Sequence, residues 1–525
     1  MISKFEQALK STMNDEISVT ENGACGFKTT GHKLLDINFA VSSLRNKSKE
    51  EIIKMFSEAY YENPLLAVKW LFMLRDIRGT GMGERRSFRI CFTWLANTRP
   101  DIAKKLVGLT TEYGRWDDLF CLFGTPVEET VIECIDAQWA LDIHDMKEGK
   151  SISLLAKWMP SINTSSYNTV LLAKKLAKVL DLSERTYRKT LSQMRKYLKV
   201  VEVSMSAKNW NEINYEAVPS KANVKYNSAF LRNDETRRRE FLGKLERGEA
   251  KINSSANFPS DIVHAYVKHV GWCCRDITKD PALEALWTAL PNYIKNQETG
   301  STIVVADGSG SMTSSAGGTS MSCLDVANSL AIYFAEKLTG PFKDKYITFS
   351  ERPQYVDFTN CKSLAEKLQV AYQHNECANT NVEAVFDLIL ETAVSNHLEQ
   401  KDLPSNIVII SDMSFDQGTS WRYNTSYWNN AARYSAQRNA LFTSIQEKYV
   451  NVGYKMPRLV FWNVNAHIEA IPLQQNDMGV ALVSGYSPAI ANMVFFAKLD
   501  PYEVLVDALN APRYQTVENL IKDII

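Results

Sequence analysis

The sequence predicts an α + α/β protein: a helical body to about residue 295, then a doubly wound α/β domain. Three observations predict it. The first part repeats apolar residues at helical spacing, and the part after residue 300 alternates short β-branched runs with helix-length segments. Between them, in "PNYIKNQETGS" (residues 291–301), the pattern breaks. Strands that alternate with helices imply a parallel sheet covered on both faces. At 525 residues the chain exceeds one ordinary core, so two or three domains are expected. The division read from the pattern is 1–295, 296–500, and a helical segment 501–525 that packs back on the body.

In the body, "ENPLLAVKWLFMLRDI" sets Leu66, Trp70 and Leu74 at fourfold spacing, with Ala67 and Leu71 in the same stripe. "PDIAKKLVGLTTEYG" starts with Pro100 and Asp101, a helix start, and stops at Gly114. "TVLLAKKLAKVLDLS" and "ERTYRKTLSQMRKYLKV" are two amphipathic stretches joined around Asp181–Ser183, and "RRREFLGKLERG" and "SDIVHAYVKHVGW" follow. No exact repeat period is present, which predicts an irregular stack of helical hairpins. Beyond residue 300, "STIVVAD", "KYITFS", "SNIVIISD", "PRLVFWNVN" and "GVALVSG" read as strands. The intervening helices are expected at Leu324–Leu338, Leu364–Tyr372, Val382–Ala393, Asn430–Tyr449 and Ala489–Lys498.

Composition is that of a water-exposed globular chain, 45% apolar and 23% charged. No run approaches the roughly 18 apolar residues that span a bilayer, so no membrane partner is expected. "MISKFEQALKSTMND" has no apolar stretch after its first lysine, so no secretory leader is expected. The nine cysteines are scattered without a CxxC pair, and Cys273 and Cys274 are adjacent. That usage suits a reducing cytoplasm. Sixty basic residues balance sixty acidic ones, but residues 147–249 hold twenty-one Lys and Arg against eleven Asp and Glu. Neutrality disfavours an indiscriminate polyanion binder, whereas one basic region is compatible with a confined anionic partner.

"IVVADGSGSM" carries the most specific chemistry. An apolar strand ends in Asp307, and Asp307, Ser309 and Ser311 form D-x-S-x-S with glycines between. Ligands of open α/β sheets collect at the carboxyl ends of strands. Three oxygen-bearing side chains there suit a hard divalent cation such as Mg²⁺. A nucleophile elbow has Gly two residues before and two after its serine, and neither Ser309 nor Ser311 has that context. None of the seven histidines has a sequence context that marks it as a base. A metal seat requires further ligands at other strand ends, and these are Thr380 in "ECANTNVEAVFDLIL" and Asp412 in "IVIISDMSFD". In this order and spacing the C-terminal region resembles a von Willebrand factor A domain with its metal-ion-dependent adhesion site (MIDAS). The resemblance implies a Rossmann-like doubly wound fold. It also implies that Asp307, Ser309 and Ser311 meet the metal, with Asp412 acting through water and Thr380 moving with ligand state. An acidic residue of a protein partner would take the open coordination position.

The body adds "LRDIRGTGMGERRSF" (74–88), "YGRWDDLF" (113–120), "LLAKWMPSINTSS" (154–166) and a long segment from Tyr187 to Tyr226. With the α/β part, these resemble a TROVE-like family similar in plan to the Ro autoantigen, from about residue 30 to about 514. That implies a ring of HEAT-like helical repeats closed by the von Willebrand A domain, and RNA as partner: a structured or misfolded small non-coding RNA. The residues that would contact it are Lys174, Lys175, Arg185, Arg188, Lys189, Arg195, Lys196, Lys199, Arg237 and Arg238. Arg188 and Arg195 are seven apart, as are Lys189 and Lys196, and Tyr187 and Tyr197 interleave with them. Aromatics among cations suit stacked bases and phosphates. The bland alternative is a solvated helix face. "RGTGMGERR" lacks G-K-[ST] and a preceding strand, so it is no P-loop. It reads as a helix-hairpin turn whose arginines pair with Asp76 or with Asp117 and Asp118. Trp116 and Trp158 read as packing residues. No catalysis is expected, because two carboxylates at one site are thin for metal-dependent phosphoryl transfer. The expected function is a non-enzymatic RNA-binding scaffold. The alternative is a Mg²⁺-dependent protein-interaction module without RNA.

Overall fold

The computed structural model of the chain describes residues 17–19, 25–27, 29–267, 277–295, 300–414, 440–465, 481–493 and 500–525. In chain order, a short hairpin of β1 (Ile17–Val19) and β2 (Cys25–Phe27) precedes α1 (Lys33–Phe39) and α2 (Lys49–Glu62). Helices α3 (Pro64–Arg75), α4 (Arg86–Thr98), α5 (Pro100–Leu106), α6 (Thr110–Tyr113), α7 (Glu128–Lys147) and α8 (Leu155–Trp158) follow. The helical run continues with α9 (Tyr167–Val179), α10 (Glu184–Tyr197), α11 (Val201–Ser206), α12 (Ser220–Asn233) and α13 (Glu235–Glu246). It ends with α14 (Pro259–Val267) and α15 (Pro281–Thr288).

The α/β part begins with β3 (Thr302–Asp307), α16 (Cys323–Lys337), β4 (Lys345–Phe349), β5 (Gln354–Asp357), α17 (Leu364–Gln373) and α18 (Glu383–Ser395). It continues with β6 (Asn406–Ser411), α19 (Ala440–Asn451), β7 (Arg458–Asn463) and β8 (Ala481–Ser484). Helices α20 (Pro501–Leu509) and α21 (Pro512–Ile521) end the chain. Of the expected helices, residues 430–439 and 494–498 lie outside the described residues, and 488–493 form a 3-10 turn.

Two compact units result: Met1–Asn63 with Asn257–Leu509, and Pro64–Ala256 with Asn510–Ile525. This partition differs from the one read off the sequence. Residues 29–63 and 257–295 are helical but belong with the sheet, and the last segment divides at 509/510 rather than acting as one piece. The cause is specific pairing. Asn463 at the end of β7 donates to the Phe39 carbonyl (2.8 Å), and Ser42 bonds Ser484 and Asn463. Trp287 of α15 donates to Glu336 of α16 (2.9 Å), and Glu284 accepts from the backbone N–H groups of Leu364 and Ala365, which begin α17.

The six-stranded sheet runs β5-β4-β3-β6-β7-β8, parallel except for the antiparallel edge strand β5. β3 is buried at every position, and β6 and β7 at every position but the first, which is why their sequences are unbroken apolar runs. Each fully buried Val, Ile or Phe contributes about 1.5–3 kcal/mol. From β3 the chain crosses to β4 on one side and later returns to β6 on the other. Right-handed crossovers, the general rule for such connections, would put the helices of the two halves on opposite faces. Strand order reverses between β3 and β6, where such sheets open a crevice.

In the other unit, α3 is buried from Ala67 to Arg75. Two of its buried residues are charged and paired: Lys69 with Glu518 of α21 (2.7 Å), and Arg75 with Asp118 (2.7 Å). The "RGTGMGERR" segment is a hairpin turn, closed by Met82 N–H to Met73 and Glu84 N–H to Leu74. Arg85 and Arg89 pair with Asp117, and Arg89 also with Asp118, whereas Asp76 pairs with Arg513 of α21.

Candidate metal centre and cationic helix

The D-x-S-x-S loop leaves β3 at the strand-order reversal. Asp307 is buried; its Oδ1 accepts the Ser309 N–H (2.9 Å) and its Oδ2 the Ser411 hydroxyl (2.5 Å). Ser309 Oγ and Ser311 Oγ are 3.2 Å apart. Ser309 is buried, and Ser311 is half-buried. Ala306 pairs with Ile410 in the parallel register, so the end of β6 carries Asp412 alongside the end of β3. Burial, and then the neighbouring Asp412 carboxylate, push Asp307 up to about 7, against the pull of hydrogen bonds from Ser309 and Ser411. Asp412 is buried and accepts the Ser414 N–H (3.1 Å).

The segment before α18 wraps the same loop. Gly310 N–H donates to Ala378 (2.9 Å) and Cys377 N–H to Gly308 (2.9 Å), which places buried Thr380 two residues past a direct loop contact. These contacts explain the glycines. A Cβ on Gly308 would stand 2.8 Å from Asn375 Oδ1 and 2.9 Å from Thr348 Oγ1. The glycines serve close approach rather than free curling of the loop.

Of the five expected ligands, Asp307, Ser309 and Ser311 are joined by hydrogen bonds and Asp412 acts on Asp307 by its charge, whereas Thr380 lies two residues past a segment that contacts the loop. Among the described residues, no group of three or more His, Cys, Asp and Glu is placed to hold a metal. A site here would rest on two carboxylates and three hydroxyls. That donor set fits a hard divalent cation that keeps several waters. It also fits the strain of two neighbouring buried carboxylates, which a cation would relieve. Sequence reasoning missed Ser411, which holds Asp307, and Cys377. Both roles arise from strand register and loop contact and have no local signal.

The cationic candidates separate into two groups. On α10, Tyr187, Leu191 and Met194 are buried, and Arg185, Arg188, Lys189 and Lys196 are exposed, as is Lys199 just beyond. The side chains of these five cations form no hydrogen bond or ion pair among the described residues. Lys174 and Lys175 are exposed but paired, with Glu184 (3.2 Å) and Glu128 (2.6 Å).

Of the expected RNA contacts, Arg238 is buried, Arg195 turns into the fold, and Arg237 is tied to the fold with its side chain still 40% exposed. Arg195 turns inward and donates to the carbonyls of Ala156 (2.9 Å) and Met159 (2.6 Å) and to Ser161 Oγ (2.7 Å). It satisfies carbonyls at the end of α8 that have no helical partner. Arg237 donates to the carbonyls of Trp210 and Ile213 and to Asp234. Arg238 is fully buried between the rings of Tyr215, Phe230 and Phe241, at 5.0–5.4 Å. Tyr187 is no platform for a base either. It is buried, stacked on Trp139, with its hydroxyl on the Pro160 carbonyl (2.8 Å).

Fold and site define a class: a helical unit and a doubly wound α/β unit that carries a D-x-S-x-S loop at its switch point. The chain belongs to the family described as Domain of unknown function (DUF2828), whose model matches residues 20–124 and 133–300. A second model, Domain of unknown function (DUF7788), matches residues 301–507. The chain is 29% identical over 532 residues to an uncharacterized protein, L728, of Acanthamoeba polyphaga mimivirus, covering 94% of this chain and 87% of that one. Among solved structures it is similar to the Deinococcus radiodurans RO (RSR) protein. Identity is 13%, coverage is 88% of this chain and 93% of that one, and the TM-score of 0.42 is below what establishes a common fold.

Proposed function

We propose that the chain is a cytoplasmic RNA-binding scaffold that holds RNA without processing it. In this reading the body is HEAT-like and TROVE-like, as in Ro-type ribonucleoproteins, and the α/β part is a von Willebrand A-like domain whose MIDAS carries Mg²⁺ or another divalent cation. The observation that carries the RNA reading is the set of exposed, unpaired cations Arg185, Arg188, Lys189, Lys196 and Lys199 along one helix and its end. Backbone phosphates are the partner such a row recognises, and their binding is salt-dependent. A filter-binding titration with a structured small RNA at two ionic strengths tests it. Affinity that weakens steeply with salt supports the reading, and absent or salt-independent binding refutes it.

A second reading rests on Asp307, Ser309, Ser311, Thr380 and Asp412. With a divalent cation bound, its open position would accept an acidic side chain of a protein partner. Half-buried Ser311 is where that position would face solvent. Pull-down with and without chelator separates the readings. A chelator-sensitive protein partner that survives loss of the α10 cations belongs to the metal site alone.

A further inference from the structure

The loop between β3 and α16 holds a second constellation that neither reading uses. Ser320 Oγ lies 3.1 Å from His264 Nε2, and His264 Nδ1 lies 3.2 Å from Asp325 Oδ2. We propose that Ser320, His264 and Asp325 are nucleophile, base and orienting carboxylate of a site that hydrolyses small acyl esters.

The order of the contacts sets the protonation. Asp325 is buried at the first turn of α16, and its Oδ1 accepts the Tyr372 hydroxyl (2.6 Å) while Oδ2 accepts the Ser322 N–H (3.1 Å). Burial works to raise Asp325, but hydrogen bonds from His264, Tyr372 and Ser322 outweigh it and hold the carboxyl below the usual range. An ionised carboxylate only accepts, so the proton of neutral His264 belongs on Nδ1. The lone pair on Nε2 then faces the Ser320 hydroxyl. That is the tautomer a general base needs.

Access divides along the same line. Ser320 is exposed, whereas the side chains of His264 and Asp325 are 19% and 10% exposed. The nucleophile is reachable while its base is sheltered. Ser320 does not sit on a free tip. The loop is pinned by Ala316 N–H to Met321 (2.8 Å), Cys323 N–H to Ser314 (3.0 Å), and Met321 N–H to Thr319 Oγ1 (3.2 Å). The backbone N–H of Ser320, which makes no backbone bond among the described residues, is a donor the proposal assigns to a developing oxyanion.

The steps balance without a co-reactant other than water. Ser320 Oγ attacks the acyl carbon as its proton passes to His264 Nε2. The ester C–O bond breaks, and the leaving alkoxide takes that proton as an alcohol. Water then attacks the acyl-serine, gives a proton to His264, and releases a carboxylic acid as the proton returns to Ser320. The site depends on neither the RNA reading nor the metal.

The test uses the full chain in chelator, with a fluorophosphonate probe and with p-nitrophenyl acetate. One equivalent of label on the peptide containing Ser320, with nitrophenolate release above the buffer rate, is the expected result. Ser320→Ala, which removes only an exposed side chain, abolishes both, and His264→Gln slows labelling at least about 100-fold. No label on Ser320 in the native chain overturns the proposal. So does labelling that is equally fast in a folded His264→Gln variant.

Discussion

The α10 cations support a quantitative prediction. Each exposed, unpaired cation that neutralises one phosphate of a single strand adds about −0.7 to the slope of log K against log salt. Five such residues, Arg185, Arg188, Lys189, Lys196 and Lys199, give a slope of about −3.5. From about 50 to about 200 mM salt, a fourfold change, affinity should then fall about 100-fold. Replacing Arg188, Lys189 and Lys196 together by Gln leaves two cations and a slope of about −1.4, or about a 7-fold fall over the same range. Gln is nearly as good a helix former as Lys and Arg, and all three positions point to solvent, so unfolding temperature should not move. Fluorescence anisotropy with a labelled RNA at four salt concentrations reads both slopes. Identical slopes for the two proteins would show that phosphate contacts lie elsewhere and would refute the assignment.

Four further outcomes follow. Arg195→Ala should act on the fold instead of RNA. It strands the carbonyls of Ala156 and Met159 and should cost about 2–4 kcal/mol in urea unfolding, with the salt slope unchanged in folded protein. Asp118→Asn removes the countercharge of buried Arg75 and partly buried Arg89, and a loss of about 3–5 kcal/mol is expected in the same assay. In calorimetric titration with Mg²⁺, Asp307→Ala should abolish a binding heat that native protein shows, while RNA affinity stays within about twofold. Gly308→Ala should weaken the same heat with every ligand intact, because its Cβ would push aside the side chains of Asn375 and Thr348 that pack against the loop; an unaltered titration would remove the close-approach argument.

Much of the α/β part was legible because its chemistry is local. β3, β6 and β7 are apolar runs since they are buried on both faces, and the D-x-S-x-S loop carries its donors within five residues. β5 was missed. It is a four-residue antiparallel edge strand with Tyr355 exposed, and "QYVD" has neither length nor burial to announce it. Arg188 and Arg195 look equivalent at heptad spacing, yet one is exposed and the other half-buried. The difference is the end of α8, which packs only beside the second. Helical periodicity also reports a buried face without saying what buries it. The pattern of residues 33–62 and 259–288 therefore gave no sign that these helices pack with the sheet.

The connection between β3 and α16 is where these limits matter most. It takes fifteen residues, 308–322, where most βα connections take about two to six. Closing the sheet does not require that length. Its first part, through Ser311, forms the oxygen-rich loop beside Asp412. Its second part begins at Ser314, whose carbonyl accepts the N–H of Cys323, so residues 315–322 form a self-contained excursion. A loop kept only for the metal seat could end at that contact. The excursion instead carries Ser320 to His264 on α14, 56 positions earlier in the chain, and returns to place Asp325 against the same imidazole. No window of sequence contains all three residues. What joins them is the packing of α14 on α16, and the same packing assigns residues 257–295 to the sheet rather than to the helical body.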